Sequence, residues 1–100
     1  MSTMPTPPER TPAVEAVETP PHPAGDAPRT HVYPGNSQPA LWVYAEGRWR
    51  WATVQARQTY RDGRVVYLVN LTLTGVDGIE GVYARSYAWG QDALEVAHMP

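Results

Sequence analysis

The chain has 100 residues, of which 42% are hydrophobic, with a formal net charge of −2 at pH 7 and no cysteine. This length allows one domain, and the lack of cysteine excludes a disulfide framework, a thiolate zinc site and a cysteine nucleophile. No window approaches the roughly 18 apolar residues of a membrane span, and the first part of the chain lacks the basic start and apolar run of a targeting signal. We therefore expect a cytoplasmic protein that does not contact a membrane.

Prolines divide the chain into two unequal parts. Ten of the eleven prolines lie at or before Pro39, whereas all four tryptophans lie between Trp42 and Trp89. Proline removes a backbone donor and fixes φ, and the residues before Pro39 include few large side chains that could be buried. The sequence predicts a disordered Pro-rich tail over residues 1–39 and a small folded domain over residues 40–98.

The folded part is rich in β-branched and aromatic residues between glycine-containing turns. This pattern predicts five strands, over residues 41–44, 48–60, 65–73, 82–89 and 94–98, with a helical turn before the last. Asp62-Gly63 suits a two-residue type I′ hairpin between the second and third strands. Large side chains alternate along the fourth strand, so we expect one wall of the interior from Tyr83, Tyr87 and Trp89, with Arg85 at its rim. Five strands joined mostly by tight turns predict an all-β fold, a small closed or nearly closed barrel.

Neither face of the second predicted strand is uniformly apolar, so its pattern does not by itself show which face is buried. Because side chains alternate along a strand, Trp49 and Trp51 share one face, while Ala52, Val54 and Ala56 lie on the other. One extra residue near Trp51 and Ala52 would switch which side chains point inward. We therefore predict a β-bulge or a strong bend there, with Trp49 in the core and Trp51 partly exposed.

The run EGRWRWATV, residues 46–54, resembles the second strand of Tudor-like domains in the Src-homology-3-like (SH3-like) barrel class. The resemblance covers about residues 40–98, and it implies a five-stranded barrel that binds without catalysis. Several such domains hold methylated lysine or arginine in an aromatic cage. By position, the cage candidates nearest the first hairpin are Trp42, Tyr44 and Trp49. The segment LVNLTLTG stands where the family has an acidic Asp-Tyr-Gly type segment, so we do not expect methyl-ligand recognition.

Two classes of partner follow from the aromatic and arginine residues. Exposed Trp, Tyr and Arg dominate interface energetics, which favours binding of a protein or peptide. The candidate residues for that site are Trp42, Tyr44, Trp51, Arg48, Arg50 and Arg57. The alternative is nucleic-acid binding, in which phosphates contact Arg48, Arg50, Arg57, Arg61 and Arg64 while Trp51 or Trp42 stacks on a base. An acidic C-terminal half and a pI near 5.8 argue against this alternative.

Histidine and serine offer no catalytic constellation. His22 and His31 lie in the predicted tail, His98 lies near the end of the chain, and Ser86 has no evident base. We therefore expect no enzymatic activity, no metal ion and no cofactor. A small barrel with an exposed strand edge can also associate with its own copy, so a homodimer stays open.

Overall fold

The computed structural model describes residues 6–19 and 27–97, which form one antiparallel sheet of six strands. The strands are β1 (Arg29–Val32), β2 (Ala40–Ala45), β3 (Arg48–Thr59), β4 (Val65–Leu73), β5 (Gly81–Ala88) and β6 (Leu94–Val96). The all-β prediction is confirmed, and β2 to β6 coincide closely with the five predicted strands. Within the described residues there is no helix that is long and apolar enough to cross a membrane.

The strand order is β5-β4-β3-β2-β6, and β1 adds to β3 beyond the end of β2. β3 is long enough to pair with both, with β2 through Arg48 to Thr53 and with β1 through Ala56 to Thr59. β4 is a central strand, because it lies between β3 and β5. β5 and β6 do not pair with each other, so strand pairing leaves the sheet open.

The core lies on one face of β2 to β5 and continues to β6. Alternate residues of each strand point into it, which gives the period of two expected for a sheet with one covered face. Its members include Leu41, Val43, Ala52, Val54, Val69, Leu71, Leu73, Tyr87 and Leu94. Tyr83 packs against this cluster as expected. Trp89 is 43% exposed, so its predicted place in the interior wall is wrong.

A β-bulge lies at Gln55 in β3. Val54 pairs with Val69 of β4, but Ala56 pairs with Leu68, so Gln55 is the extra residue. The predicted position near Trp51 and Ala52 is therefore wrong, since the bulge lies three residues beyond Ala52. Because no bulge lies between them, Trp49 and Trp51 share the face opposite the core, and both are partly buried there.

Residues 6–19, called the N-terminal strap below, lie against the sheet. The Ala16 amide donates to the carbonyl oxygen of Tyr44 in β2 at 2.9 Å, and the Thr19 amide donates to that of Ser86 in β5 at 2.7 Å. The strap thus bridges β2 and β5, which do not pair with each other. Its neighbour in the chain, β1, is also ordered in a stretch for which the sequence predicts a disordered tail. Residues 1–5 and 20–26 of that tail, and residues 98–100, lie outside the described residues.

Candidate functional site

Four aromatic side chains form two cross-strand pairs on the outer face of β2 and β3. Trp42 lies opposite Trp51, with ring centroids 5.2 Å apart and ring planes at 81°. Tyr44 lies opposite Trp49, at 5.4 Å and 72°. Edge-to-face pairs of this kind stabilise adjacent strands beyond the area they bury. The four residues are called the aromatic quartet below.

The N-terminal strap covers one end of the quartet. Trp49 donates from Nε1 to the carbonyl oxygen of Arg10 at 2.8 Å, and the Arg10 guanidinium lies 5.0 Å from the centre of the indole ring. Ion pairs of 3.1 Å to Asp92 and to Glu95 hold that guanidinium in place. The strap therefore satisfies the indole N–H of Trp49 and covers part of its ring, while the residue as a whole stays partly buried.

Trp51 lies at the other end of the quartet, between two shallow depressions. One, of about 340 Å³, has an apolar lining that includes Pro39 and Val96. The other, of about 350 Å³, is lined by Arg48, Trp49, Arg50, Thr72 and Glu80 as well as by Trp51. Trp51, the two depressions and these lining residues are called the Trp51 surface below. Trp42, the partner of Trp51, is only 9% exposed and acts as its support.

Arg50 belongs to the interior. It is 9% exposed, and its guanidinium donates to the carbonyl oxygens of Ala45 at 3.1 Å and Thr72 at 3.4 Å. Its Nη2 also lies 3.2 Å from Oε1 of Glu46, which in turn accepts from the Thr74 amide at 2.7 Å. A buried cation requires such partners, and these tie the first hairpin to the end of β4. Arg50 therefore has a structural role, and Arg48 is the surface arginine at this end of β3.

Three other arginines named as candidates lie toward the opposite end of β3. Arg57 is exposed and is nine positions from Arg48, which corresponds to about 25–30 Å of extended strand. Arg61 is exposed in the turn after β3. Arg64 lies 4.5 Å from the ring centre of Tyr60 and donates to Asp62. The five arginines of the predicted nucleic-acid site therefore do not form one patch.

Two titratable groups have environments that move their pKa. Burial raises the pKa of the Tyr87 hydroxyl, with the charge of Arg85 opposing and those of Glu18 and Glu15 adding to the effect. The backbone amide of Arg64 donates to the Asp62 carboxylate at 3.0 Å, and this bond, with that from the guanidinium, lowers the pKa of the carboxyl. Over residues 6–19 and 27–97, no three His, Asp or Glu side chains cluster as a metal site would require.

Arg29 and His31 are surface residues that the sequence reasoning did not select as binding candidates. Both lie in β1, where they pair with Thr59 and Arg57 of β3. They were not selected because residues 29–31 fall in the part of the chain predicted to be a disordered tail. The alternation in Arg29-Thr30-His31-Val32 is nevertheless a weak strand signal. His22 and His98 lie outside the described residues.

Comparison with protein-family models, with curated proteins and with solved structures finds no match to this chain. The function therefore has to be inferred from the geometry of its own surfaces.

Proposed function

We propose that this chain is a non-catalytic binding module, a small SH3-like barrel that uses the Trp51 surface to hold a protein or peptide segment. The observation that supports this most directly is the state of Trp51. Its indole is partly exposed, is fixed edge-to-face against Trp42, and stands between two depressions.

The barrel assignment is supported by five consecutive strands, β2 to β6, joined by short connections, together with the resemblance of residues 46–54 to Tudor-like domains. The N-terminal strap completes the interior, because it reaches Tyr44 of β2 and Ser86 of β5. On this proposal the strap is part of the domain and not a linker to it.

Rigidity favours Trp51 as an anchor. A side chain that is already fixed loses little conformational entropy when a partner binds, so more of its contact energy appears as affinity. Trp42 fixes the indole from the adjacent strand, with a centroid separation of 5.2 Å. Tryptophans in such positions are the residues most often found to dominate binding energy.

The two depressions indicate the chemistry of the bound segment. Pro39, Ala40, Val96 and Ala97 give the first an apolar lining, which suits an aliphatic or proline side chain. The second carries both Arg48 and Glu80, which suits a polar or charged side chain. We therefore expect a short extended segment that lies across Trp51 with an apolar residue on one side and a polar residue on the other.

Selection from a library of random peptides against the full chain tests this proposal. We expect peptides that bind the wild type and the Trp89→Ala control with equal affinity but bind Trp51→Ala at least about tenfold more weakly, since loss of a central Trp typically costs more than 1 kcal/mol. Circular dichroism and thermal unfolding would establish that both variants fold. Peptides that bind Trp51→Ala as tightly as the wild type, or the absence of any enriched peptide, would contradict the proposal.

A further inference from the structure

A second surface, far from Trp51, combines arginines that pair with no carboxylate of the described residues with one exposed aromatic ring, that of Trp89. Arg29, His31, Arg57 and Thr59 line a depression of about 370 Å³. A neighbouring depression of about 470 Å³ shares Arg29 and Thr59 and extends to Arg61. The two depressions therefore form one continuous groove along β1 and the end of β3, called the basic groove below.

The bulge at Gln55 explains how this groove arises. Before the bulge, Val54 of β3 pairs with Val69 of β4, and after it Arg57 pairs with Tyr67. Paired residues point to the same side of a sheet, so Arg57 lies on the core-facing side. Without the extra residue, Arg57 would follow the odd-numbered tryptophans onto the outer face. The basic groove and the Trp51 surface are consequently on opposite faces of β3.

Register also places an aromatic pair beside the groove. His31, Arg57 and Tyr67 lie opposite one another across β1, β3 and β4. The next ring is Trp89, which is 43% exposed and lies edge-to-face with Tyr67 at 5.7 Å. Adjacent strands are about 4.8 Å apart, so guanidinium, imidazole and aromatic groups follow one another within a few strand widths.

The charge of the groove is not neutralised by the described part of the chain. Arg10, Arg50 and Arg85 each have a carboxylate partner within 3.2 Å. In contrast, no carboxylate of the described residues forms an ion pair with Arg29, Arg57 or Arg61. Three such guanidiniums along one groove attract an anion with several charges.

We propose that the basic groove binds single-stranded nucleic acid. The arginines contact successive phosphates, while a base stacks on the exposed Trp89 ring beside Tyr67, which is the usual combination in single-strand binding surfaces. A phosphorylated peptide would use the guanidiniums but has no need of the aromatic pair. A duplex presents its bases in the stack and cannot place one on Trp89. This inference concerns a surface separate from Trp51 and does not depend on the peptide-binding proposal.

Fluorescence anisotropy with the full chain and labelled oligonucleotides of about 12 nucleotides tests the proposal, since single-strand sites span about 4–16 nucleotides. We expect binding to a single-stranded oligonucleotide that is tighter than to the matching duplex, with quenching of Trp fluorescence. Raising the salt from about 50 to about 200 mM should weaken binding, with a slope of about −0.7 per phosphate contact. No single-strand binding at the lower salt concentration would overturn the proposal.

Matched charge variants locate the site. Arg57→Gln and the double variant Arg29→Gln/Arg57→Gln should weaken binding progressively, the double variant by about tenfold or more, and should flatten the salt dependence. Arg48→Gln removes the same charge at the far end of β3 and should change affinity less than about twofold. Trp89→Ala should abolish most of the quenching. Equal loss with Arg48→Gln and Arg57→Gln, or tighter binding of a phosphopeptide or of anionic vesicles than of the oligonucleotide, would overturn the assignment.

Discussion

The indole nitrogen of Trp49 donates to the carbonyl oxygen of Arg10 at 2.8 Å, and the guanidinium of the same Arg10 lies 5.0 Å from the centre of that indole ring. One strap residue therefore covers both the edge and the face of a β3 tryptophan. Because Arg10 also pairs with Asp92 and Glu95 before and in β6, it joins the strap to two separate parts of the sheet.

We predict that Arg10→Ala lowers the free energy of unfolding by about 0.5–2 kcal/mol. The cation–π contact contributes about 0.5–1 kcal/mol, and its two exposed ion pairs add at most about 1 kcal/mol together. Trp49 should also become more accessible to acrylamide quenching. Urea unfolding and quenching measure the two effects. Glu9→Ala, at an exposed neighbouring position, is the control, and an equal effect of both substitutions would show that Arg10 does not hold the strap.

A second prediction concerns Gln91, whose side-chain amide both accepts from and donates to the backbone of the strap. Its Oε1 accepts from the Val17 amide at 2.8 Å, and its Nε2 donates to the carbonyl oxygens of Val17 at 3.3 Å and Ala88 at 2.9 Å. We expect Gln91→Ala to release the strap without unfolding the sheet, since the core of β3 and β4 stays intact.

Native-state hydrogen exchange checks this prediction. The amides of Ala16, Val17 and Thr19 should exchange faster in Gln91→Ala by about tenfold or more, because each bond lost is worth about 0.5–1.5 kcal/mol and opening of the strap is local. The amide of Val54, which bonds to the carbonyl oxygen of Pro39 at the centre of the sheet, should keep its protection. Equal acceleration at Val54 would mean that strap and sheet open together.

Local sequence patterns predicted the strands and the hairpin pairing of β3 with β4, but not the partners of the strap and of β1. The boundaries of β2 to β5 follow from β-branched and aromatic runs and from turns such as Asp62-Gly63, which are local signals. The predicted type I′ turn is wrong, because it requires positive φ at both central residues and Gly63 has it but Asp62 does not. The strap and β1 depend on distant contacts, such as Arg10 with Trp49 or Arg29 with Thr59. Proline content argues against regular structure, but extended proline-rich backbone can still donate and accept hydrogen bonds between its prolines. Composition alone could not distinguish a docked segment from a free one.

The candidate site shows the same division. Trp42 and Tyr44 share a face of β2 as their period-two spacing predicts, and the register with β3 places Trp51 opposite Trp42. Arg50 also alternates with the tryptophans, but its burial depends on the carboxylate of Glu46 and on the carbonyl of Thr72 from another strand. The position of the bulge depends on pairing with β4, so the side of the sheet that carries Arg57 could not be read from β3 alone.

A third prediction tests the structural role of Arg50. Arg50→Met should lower the free energy of unfolding by about 2–3 kcal/mol, because Glu46 and two backbone carbonyls lose a charged donor near the core. Arg48 is exposed and lies two residues earlier in β3, so Arg48→Met should change the free energy of unfolding by less than about 0.5 kcal/mol. Urea unfolding of both variants measures the difference. Similar stability of the two would mean that the Arg50 contacts contribute little and that this arginine is available to a partner.

The fourth prediction follows from the raised pKa of Tyr87, which is 2% exposed in the core cluster. Burial disfavours the phenolate, so the folded protein holds this proton more tightly than the unfolded chain does. The resulting stability is fully present below about pH 10, the ordinary value for tyrosine, and is lost as the pH rises through the higher pKa of the folded state. We therefore expect the free energy of unfolding of the wild type to fall in strongly alkaline solution.

Tyr87→Phe keeps the ring in the core and removes the ionisable hydroxyl. Urea unfolding of both proteins between about pH 8 and about pH 11 should show a smaller alkaline loss in the variant, since one source of linkage has been removed. The difference between the two proteins at the lower pH measures what the hydroxyl contributes apart from ionisation, so it serves as the baseline. The remaining tyrosines are common to both chains and cancel in the comparison. Parallel pH profiles would show that Tyr87 ionises as easily in the folded chain as in the unfolded one, contrary to its burial in the core cluster.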